Sequence, residues 1–531
     1  MPELQANQPP PADYYAANLR RLLNHVLDYH RDLLSRSAYS FVSSLVSASG
    51  DAQRLFARLM TRKGPWIRVD KLVYAEVVDR NAALEELSGL GLIRCNGQAP
   101  ADFLLKLLTN EQRRQVFPHL KSQRRDAWIE ACVARYSDQY IRARLSGRYP
   151  WLAIDQAQHL GLCQLLFFGD VHQDSSTFVL QDLGLIRYPD YPLRRQDRMF
   201  ASRRVLGRYQ RLRMLRSLAH RLDTHPELAA YLSDQLWWTP DSRHEQRLLD
   251  RTLNTLGRHF ERSKQFDCAL SCYARSTSHP ARERRVRILR KLADKQGAEG
   301  LLAAMQKSPR SSEEEDFVQR AAARGANAQT TTLCLNGQRP KSIERHAADL
   351  LSGAGGEAWH LENQLPTMLA GLAYWDIMFS PLPGAFVNPF QTAPLDLFWP
   401  DFAASRQQLL MQRDADFELP GEFKSRLLAH HQCYQGLANR LVNWRAWPVE
   451  RLQLLLEHVP ETTLRAIARH VIQQPYRAKT GFPDLLVIYG NGSYEFVEVK
   501  GPTDALQPAQ RIWLQTLEAM GAPARVLKFK P

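Results

Sequence analysis

The sequence predicts a multidomain, mostly α-helical protein that ends in an α/β domain. A chain of 531 residues is too long for one hydrophobic core and is expected to form roughly two to four domains. Apolar residues recur at helical spacing through most of it, as at Leu19, Leu23 and Val26. Near the end, two β-branched runs flank a glycine-containing turn. We therefore expect helical domains first and strands last.

The charge balance favours a polyanionic partner. The chain has 70 Lys and Arg against 55 Asp and Glu, a formal net charge of +15, which is typical of proteins that bind nucleic acid. Its 7 cysteines are scattered without a CxxC pair, which argues against disulfide frameworks and zinc fingers. The polar, proline-rich start lacks signal-peptide blocks, and no apolar run reaches the roughly 18 residues of a membrane span. We expect an intracellular, non-secreted protein without membrane contact.

Arginines are concentrated between residues 194 and 221, where ten of them face a single acid, Asp197. Arginine's planar fork suits phosphate oxygens, so the stretch is predicted to bind the DNA backbone. A helix whose arginines pair with acids elsewhere in the fold is the alternative. The predicted DNA contacts are Arg194, Arg195, Arg198, Arg203, Arg204, Arg208, Arg211 and Arg213.

A β-hairpin is predicted near the C-terminus, with its turn centred on Asn491-Gly492. Side chains alternate along a strand, so Glu498 and Lys500 share one face. The turn position places Asp484 opposite the segment from Glu498 to Lys500. Three charged groups are therefore expected to converge at one end of the hairpin.

These three groups suit phosphodiester hydrolysis. Two adjacent carboxylates repel each other unless a hard cation such as Mg²⁺ or Mn²⁺ lies between them. A neighbouring lysine can orient a water or neutralise charge on a phosphate in the transition state. The alternative is that Asp484, Glu498 and Lys500 merely decorate an exposed two-stranded edge.

The hairpin also carries a resemblance to known nucleases. Pro483-Asp484 and Glu498-Val499-Lys500 resemble the PD-(D/E)xK core, and the fuller C-terminal pattern resembles the VRR-NUC domain. Upstream segments are similar to the Fanconi-associated nuclease family, in a bacterial-type form without the ubiquitin-binding zinc finger of animal members. The segments that carry this resemblance are 374–379, 386–391, 393–397, 496–504 and 510–514.

The resemblance implies a site that holds one or two Mg²⁺ or Mn²⁺ ions. Within it, Lys500 orients the attacking water or steadies the phosphate, and Gln510 on the following helix positions a water. Arg477 and Lys479 precede the hairpin and are expected to grip the neighbouring phosphate. The implied metal ligands are Glu362, Asp484, Glu498 and the Val499 carbonyl.

The family further implies an endonuclease and 5′-to-3′ exonuclease that cuts near 5′ flaps in interstrand crosslink repair. Its partner would be branched or 5′-flap DNA with a 5′ phosphate, and the long helical arm of this chain favours a monomer on that DNA. Two alternatives remain: a Holliday-junction-resolving nuclease and a non-catalytic DNA-binding scaffold. The expected compartment is the nucleoid-associated cytoplasm for a bacterial source and the nucleus for a eukaryotic one.

The predicted domains are a helical DNA-binding domain (1–98), a SAP-like and basic helical region (99–230), a TPR-like domain (231–352) and the VRR-NUC nuclease domain (353–531). Residues 50–95 alternate helix and short strand, which predicts a helical module ending in a hairpin. Such a module could form a winged-helix-like surface that contacts DNA. The alternative, which the sequence favours equally, is that its charged residues form the solvated face of an ordinary small domain. Small and aromatic residues at 253–273 follow TPR offsets, which favours a helical hairpin able to bind a protein partner.

Overall fold

A computed structural model of the chain describes residues 13–62, 64–120, 124–169, 186–311, 313–315, 317–318, 330–335, 340–353, 356–361 and 363–530. The chain divides into two compact units, residues 1–185 and 186–531. That division falls inside the predicted region 99–230, and the finer predicted domain boundaries remain predictions.

The first unit is helical with one small sheet. Strands β1 (Ile67–Arg68), β2 (Ile93–Cys95) and β3 (Trp151–Ile154) form a 3-stranded sheet in the order β1-β3-β2. The helices are α1 (Tyr14–His30), α2 (Arg36–Ser47), α3 (Gly50–Met60), α4 (Arg80–Gly89), α5 (Ala101–Lys106), α6 (Asn110–Val116), α7 (Arg125–Arg135), α8 (Asp138–Ser146) and α9 (Ala157–Phe168).

The helices and strands expected within residues 50–95 are present, but the predicted hairpin is wrong. β1 and β2 do not pair with each other, because β3 lies between them and pairs antiparallel with both. β3 follows β2 by more than 50 residues, and local sequence carries no signal for so distant a partner. Arg68 is buried at 4% exposure and its guanidinium pairs with Asp70 at 2.5 Å, so it adds no free charge to the surface.

The second unit begins with a run of helices and continues with helices that pack around the C-terminal sheet. The first run comprises α10 (Arg203–Ala219), α11 (Leu228–Gln235), α12 (Arg243–Arg262), α13 (Phe266–Arg275), α14 (Ala281–Lys291) and α15 (Lys295–Lys307). The later helices are α16 (Ile343–Gly353), α17 (Gln364–Ala373), α18 (Trp375–Met378), α19 (Gln407–Asp416), α20 (Glu422–Tyr434), α21 (Val449–His458), α22 (Glu461–Gln473), α23 (Pro475–Ala478) and α24 (Pro508–Ala519).

Helices α12 and α13 form the helical hairpin that the TPR-like offsets predict. Gly257 on α12 faces the Tyr273 ring on α13, and a Cβ at Gly257 would lie 2.9 Å from Tyr273 Cε1. The glycine therefore lets the two helices approach, while the buried tyrosine, 1% exposed, fills the space between them.

The C-terminal sheet has 5 strands in the order β4-β8-β7-β6-β5. β6–β7 and β5–β6 pair antiparallel, while β7–β8 and β4–β8 pair parallel. The predicted hairpin is β6–β7, and it occupies the centre of the sheet rather than an exposed edge. The strands are β4 (Thr330–Cys334), β5 (Gly356–His360), β6 (Leu485–Tyr489), β7 (Tyr494–Lys500) and β8 (Ala524–Lys530).

The central strands are buried on both faces. Val497 and Val499 pack under α16, whereas Phe496 lies on the opposite side in the core that contains Trp513 of α24.

The edge strand β4 and the covering helix α16 come from before the predicted boundary at residue 353. Helices followed by this α/β sheet confirm the predicted fold class. None of the helices in the described part of the chain is long and apolar enough to cross a membrane.

Candidate active site

The β6–β7 hairpin brings Asp484 and Glu498 together. Leu485 pairs with Val497 in the antiparallel register, which places Asp484 beside the end of β7. The Val499 N–H donates a hydrogen bond to Asp484 Oδ2 at 2.9 Å. The register expected from the turn is therefore confirmed, and the hydrogen bond fixes the carboxylate against the neighbouring strand.

Glu498 is a carboxylate enclosed by the sheet. It is 0% exposed, and its Oε2 accepts no hydrogen bond from any residue that the structure describes. Lys500 Nζ lies 2.8 Å from Glu498 Oε1 as an ion pair, and Lys500 is itself buried, at 8% exposure. Such a carboxylate has lone pairs free for a cation or a proton.

Burial and the neighbouring Asp484 carboxylate raise the pKa of Glu498 to about 7, against the stabilising effect of Lys500. Burial also raises the pKa of Asp484, although the Val499 N–H opposes this shift. Both acids are therefore held in a site that disfavours their charged forms. A bound divalent cation reverses that preference because it stabilises both carboxylates.

Replacing Glu498 by glutamine is expected to change how stability depends on pH. The folded-state pKa of about 7 lies above the ordinary 4.5, so the contribution of Glu498 to stability is lost as the pH rises from 4.5 to 7. In EDTA, the unfolding free energy of Glu498→Gln relative to that of the parent should be higher at pH 8 than at pH 5, by on the order of 1–3 kcal/mol. Urea denaturation at the two pH values measures it.

Glu495→Gln is the matched control on the same strand. Arg525 lies 2.8 Å from the Glu495 carboxylate, and its hydrogen bonds and charge outweigh burial and keep the pKa of Glu495 below its ordinary value. That acid stays ionised throughout the tested range, so its variant should differ from the parent by a constant amount. Equal pH dependence in the two variants would contradict the environment described for Glu498.

Helix α24 packs against the segment that leads into the hairpin. Gly481 has φ +89°, and a Cβ there would lie 2.6 Å from the Ala509 carbonyl carbon. Gln510 accepts a hydrogen bond from the Gln507 N–H at 2.9 Å, and the two residues form a capping box at the start of α24. The side chain predicted to position a water thus has a structural role at the helix terminus, and its role towards water remains a prediction.

The connection after β5 contacts the same end of the hairpin. The Leu361 N–H donates to the Asp484 carbonyl at 2.9 Å, and Asn363 Oδ1 accepts from the Phe482 N–H at 2.9 Å. Glu362, the predicted third acidic ligand, lies outside the described residues. Within the described ranges, no three His, Cys, Asp or Glu side chains form a cluster that could hold a metal ion.

Part of the arginine-rich stretch is neutralised within its own unit. Arg208 lies 2.5 Å from Asp241 and 3.3 Å from buried Glu245, and Arg211 donates to the Gln235 side chain. The alternative of pairing with distant acids therefore applies to Arg208. Arg204 is 77% exposed and only 3.6 Å from Asp241. Exposed members are Arg194, Arg195, Arg203, Arg204 and Arg211, and partly buried ones are Arg198, Arg208 and Arg213.

A basic cavity of about 970 Å³ adjoins the segment that precedes the hairpin. Arg477, predicted to grip a phosphate, lines it and lies 3.3 Å from Glu315. Lys479 packs over Phe398 and Tyr476, two further residues of the cavity wall. The arginines that line the cavity are Arg216, Arg247, Arg251, Arg310, Arg469 and Arg477.

The cavity holds more positive charge than its acids neutralise. Asp414 pairs with Arg469 at 3.1 Å, but within the described residues no carboxylate lies within ion-pair distance of Arg216, Arg247 or Arg251. Burial and repulsion from Arg251 lower the pKa of Arg247 to about 10 and also lower that of Arg216. This surplus favours an anionic ligand.

Sequence reasoning missed Arg247, Arg251, Arg310 and Arg469 as binding candidates. The first two recur at helical spacing on α12, opposite the apolar residues that were assigned to the TPR-like core. That amphipathic arrangement was the available signal. Arg310 and Arg469 come from separate segments, and only the tertiary fold brings them to the cavity.

Two family models match separate parts of the chain. The VRR-NUC domain matches residues 420–531, and the model described as FAN1, HTH domain matches residues 13–94. A Fanconi-associated nuclease 1 homolog of Pseudomonas aeruginosa is 29% identical over 98% of this chain and 97% of its own length. Along almost its whole length, the chain is similar to Fanconi-associated nuclease 1 homologs.

Other comparisons point to the same similarity. A homolog from Arabidopsis thaliana is 26% identical over 100% of this chain and 68% of its own length. A crystal structure of paFAN1 bound to 2nt 5′-flap DNA with a gap is 27% identical, covers 99% of both chains and superposes with a TM-score of 0.84. These similarities identify the chain as a DNA nuclease, and the hairpin lies inside the segment matched by the VRR-NUC model.

Proposed function

We propose that the chain is a metal-dependent endonuclease and 5′-to-3′ exonuclease that cuts DNA near 5′ flaps during interstrand crosslink repair. The observation that carries the flap preference is the match, along almost the whole chain, to structures of paFAN1 bound to 5′-flap DNA. The placement in crosslink repair rests on the family name of the relatives. Because the full-length match includes the helical regions, it extends to surfaces that guide DNA as well as to the hairpin.

The described acids fit a hard divalent cation. Glu498 Oε2 is buried without a hydrogen-bond partner among the described residues, and Asp484 retains Oδ1 beside its bonded Oδ2. These oxygens, with the Val499 carbonyl and Glu362, would hold one or two Mg²⁺ or Mn²⁺ ions. When bound, the metal supplies Lewis-acid stabilisation of the phosphate and a more acidic water.

Lys500 lies at the same end of β7, where its ammonium can interact with the phosphate. Its ammonium is held by Glu498 at 2.8 Å in a largely buried position, so few conformations are open to it. A positive charge fixed in this way can orient the attacking water or stabilise the charge that develops on the phosphate oxygens. The sheet excludes bulk solvent from one side of the pair, which strengthens this interaction.

The basic cavity of about 970 Å³, from here on called the arginine cavity, is the proposed receptor for a 5′ phosphate. It lies in the same unit as the hairpin and is lined by α23, the short helix immediately before it. Arg216 Nη1 is buried and donates to no described residue, so it has a hydrogen-bond donor left for a phosphate oxygen. Capture of a strand end there would set the distance from the 5′ terminus to the cut.

We also propose that the protein acts as a monomer on DNA, in the nucleoid-associated cytoplasm of a bacterium. The Pseudomonas relative, which matches nearly end to end, supports the bacterial assignment. A long helical region in the same chain can guide DNA without a second subunit, which disfavours a dimeric Holliday-junction resolvase. The TPR-like hairpin of α12 and α13 remains a candidate surface for a protein partner.

Cleavage of defined substrates tests this function. We expect Mg²⁺- or Mn²⁺-dependent cutting of a 5′-flap substrate, slower cutting of a Holliday junction, and no cutting in EDTA. A 5′ phosphate should be preferred to a 5′ hydroxyl, and labels at either end of a linear duplex should show digestion from the 5′ end. Preferential cutting of the junction, or equal cutting in EDTA, would overturn the proposal.

A further inference from the structure

Helix α12 carries a basic stripe that continues beyond the arginine cavity. Arg247, Arg251, Arg258 and Arg262 follow one another at spacings of four, seven and four residues, which places them on one side of an α-helix. From first to last the stripe is about 22 Å long, given the rise of about 1.5 Å per residue. The opposite side of α12 is occupied by Leu253 and other apolar residues of the TPR-like core.

A second cavity adjoins the first along this stripe. Its volume is about 310 Å³, and Asn254, Thr255 and Pro280 line both cavities. Arg258 and Arg262 line the second one. The two basic cavities therefore lie next to each other along α12 and share part of their wall.

The charges of this extension are weakly neutralised. Arg258 has no carboxylate within ion-pair distance among the described residues, and Arg262 pairs with Asp223 at 3.5 Å. Arg262 and Asp223 are 60% and 82% exposed, and such solvated pairs contribute little. A phosphate can therefore replace Asp223 at low cost. At the junction of the cavities, Asn254 Oδ1 is buried without a described hydrogen-bond partner.

We infer that Arg258 and Arg262, the part of the α12 stripe that lies beyond the arginine cavity, bind the sugar–phosphate backbone of an unpaired DNA strand that continues past that cavity. This inference rests on the proposed flap-cutting function and adds a path for flaps too long to end in that cavity. A depression of about 310 Å³ is the size of a small-ligand pocket, so it admits single nucleotide units but not a duplex. Backbone charge, rather than base identity, would be recognised.

The test compares flap lengths in the full-length protein. Fluorescence anisotropy with EDTA measures the affinity for substrates with a one-nucleotide flap and with a flap of about ten nucleotides, within the site sizes of single-strand grooves. The Arg258→Gln/Arg262→Gln double variant should lower the long-flap to short-flap affinity ratio about tenfold, because two phosphate contacts are lost. For the long flap, the slope of log affinity against log salt concentration should be shallower by about 1.4 in this variant than in the parent.

Arg287→Gln/Arg290→Gln is the matched control. Both arginines are exposed on α14 and line neither cavity, so this variant loses the same charge without touching the stripe. It should keep the parent's affinity ratio. If both double variants reduce the ratio equally, or neither does, the inference is overturned. If the parent neither binds nor cuts flaps, the proposed function itself has failed, which is a different result.

Discussion

Lys500→Ala should slow DNA cleavage by about 10²–10³-fold while changing DNA affinity little. The Lys500 ammonium is fixed beside Glu498 and largely buried, so it can reach the reacting phosphate but not the long DNA backbone that determines affinity. Single-turnover cleavage at saturating DNA separates the rate from binding. The decisive result is a loss in the cleavage step without a matching loss in anisotropy-measured affinity.

Lys528 provides a matched control for this substitution. It is the direct partner of Lys500 in the parallel β7–β8 register, and its Nζ donates to the Asp504 carbonyl at 3.2 Å. Lys528→Ala removes the same charge from the neighbouring strand and should leave the cleavage rate near that of the parent. If both variants lose activity equally, the effect belongs to the sheet rather than to Lys500.

Asp484→Asn extends the same test to the acidic side of the site. Asparagine can still accept the hydrogen bond from the Val499 N–H through its carbonyl oxygen, so the hairpin should keep its geometry while the charge is lost. The expected decrease in rate is at least as large as that of Lys500→Ala. If Asp484→Asn and Lys500→Ala both cut as fast as the parent, the assignment of this site is wrong.

The hairpin was predictable because the information that specifies it is local. A turn between two β-branched runs sets the register, and the register alone places Asp484 beside Glu498. The burial of Glu498 was not predictable in this way. It depends on β5 and β8 on either side of the hairpin, and β5 is a short strand whose residues carry no clear strand pattern.

Two charged segments also show where local patterns fail. The run around Glu313 to Glu315 has the composition of an exposed loop, yet Glu314 is 1% exposed and forms a buried ion pair with Arg282. Arg208 similarly pairs with Asp241 from a later segment. In both cases the deciding partner lies about 30 residues away, and a charge pattern read along the chain cannot identify it.

The close approach of the hairpin entry to α24 leads to the second large expected effect. Gly481→Ala should destabilise the protein by about 2–5 kcal/mol, since it combines a positive φ with overpacking. The added Cβ would lie 2.6 Å from the Ala509 carbonyl carbon and 2.7 Å from its Cβ. These are atoms of a helix backbone and a short side chain, which cannot rotate away as a long side chain can.

Gly492→Ala separates the two causes. Gly492 has φ +84° in the turn of the same hairpin, with no atom within 4 Å of an added Cβ, so it should cost only the positive-φ strain of about 1–2 kcal/mol. In urea denaturation, the unfolding free energy of Gly481→Ala should therefore be well below that of Gly492→Ala. Gly481 also precedes Asp484 by three residues, so its displacement should reduce cleavage even where the variant is folded. Equal stability and equal activity of the two variants would mean that contact with α24 does not position the acidic end of the hairpin.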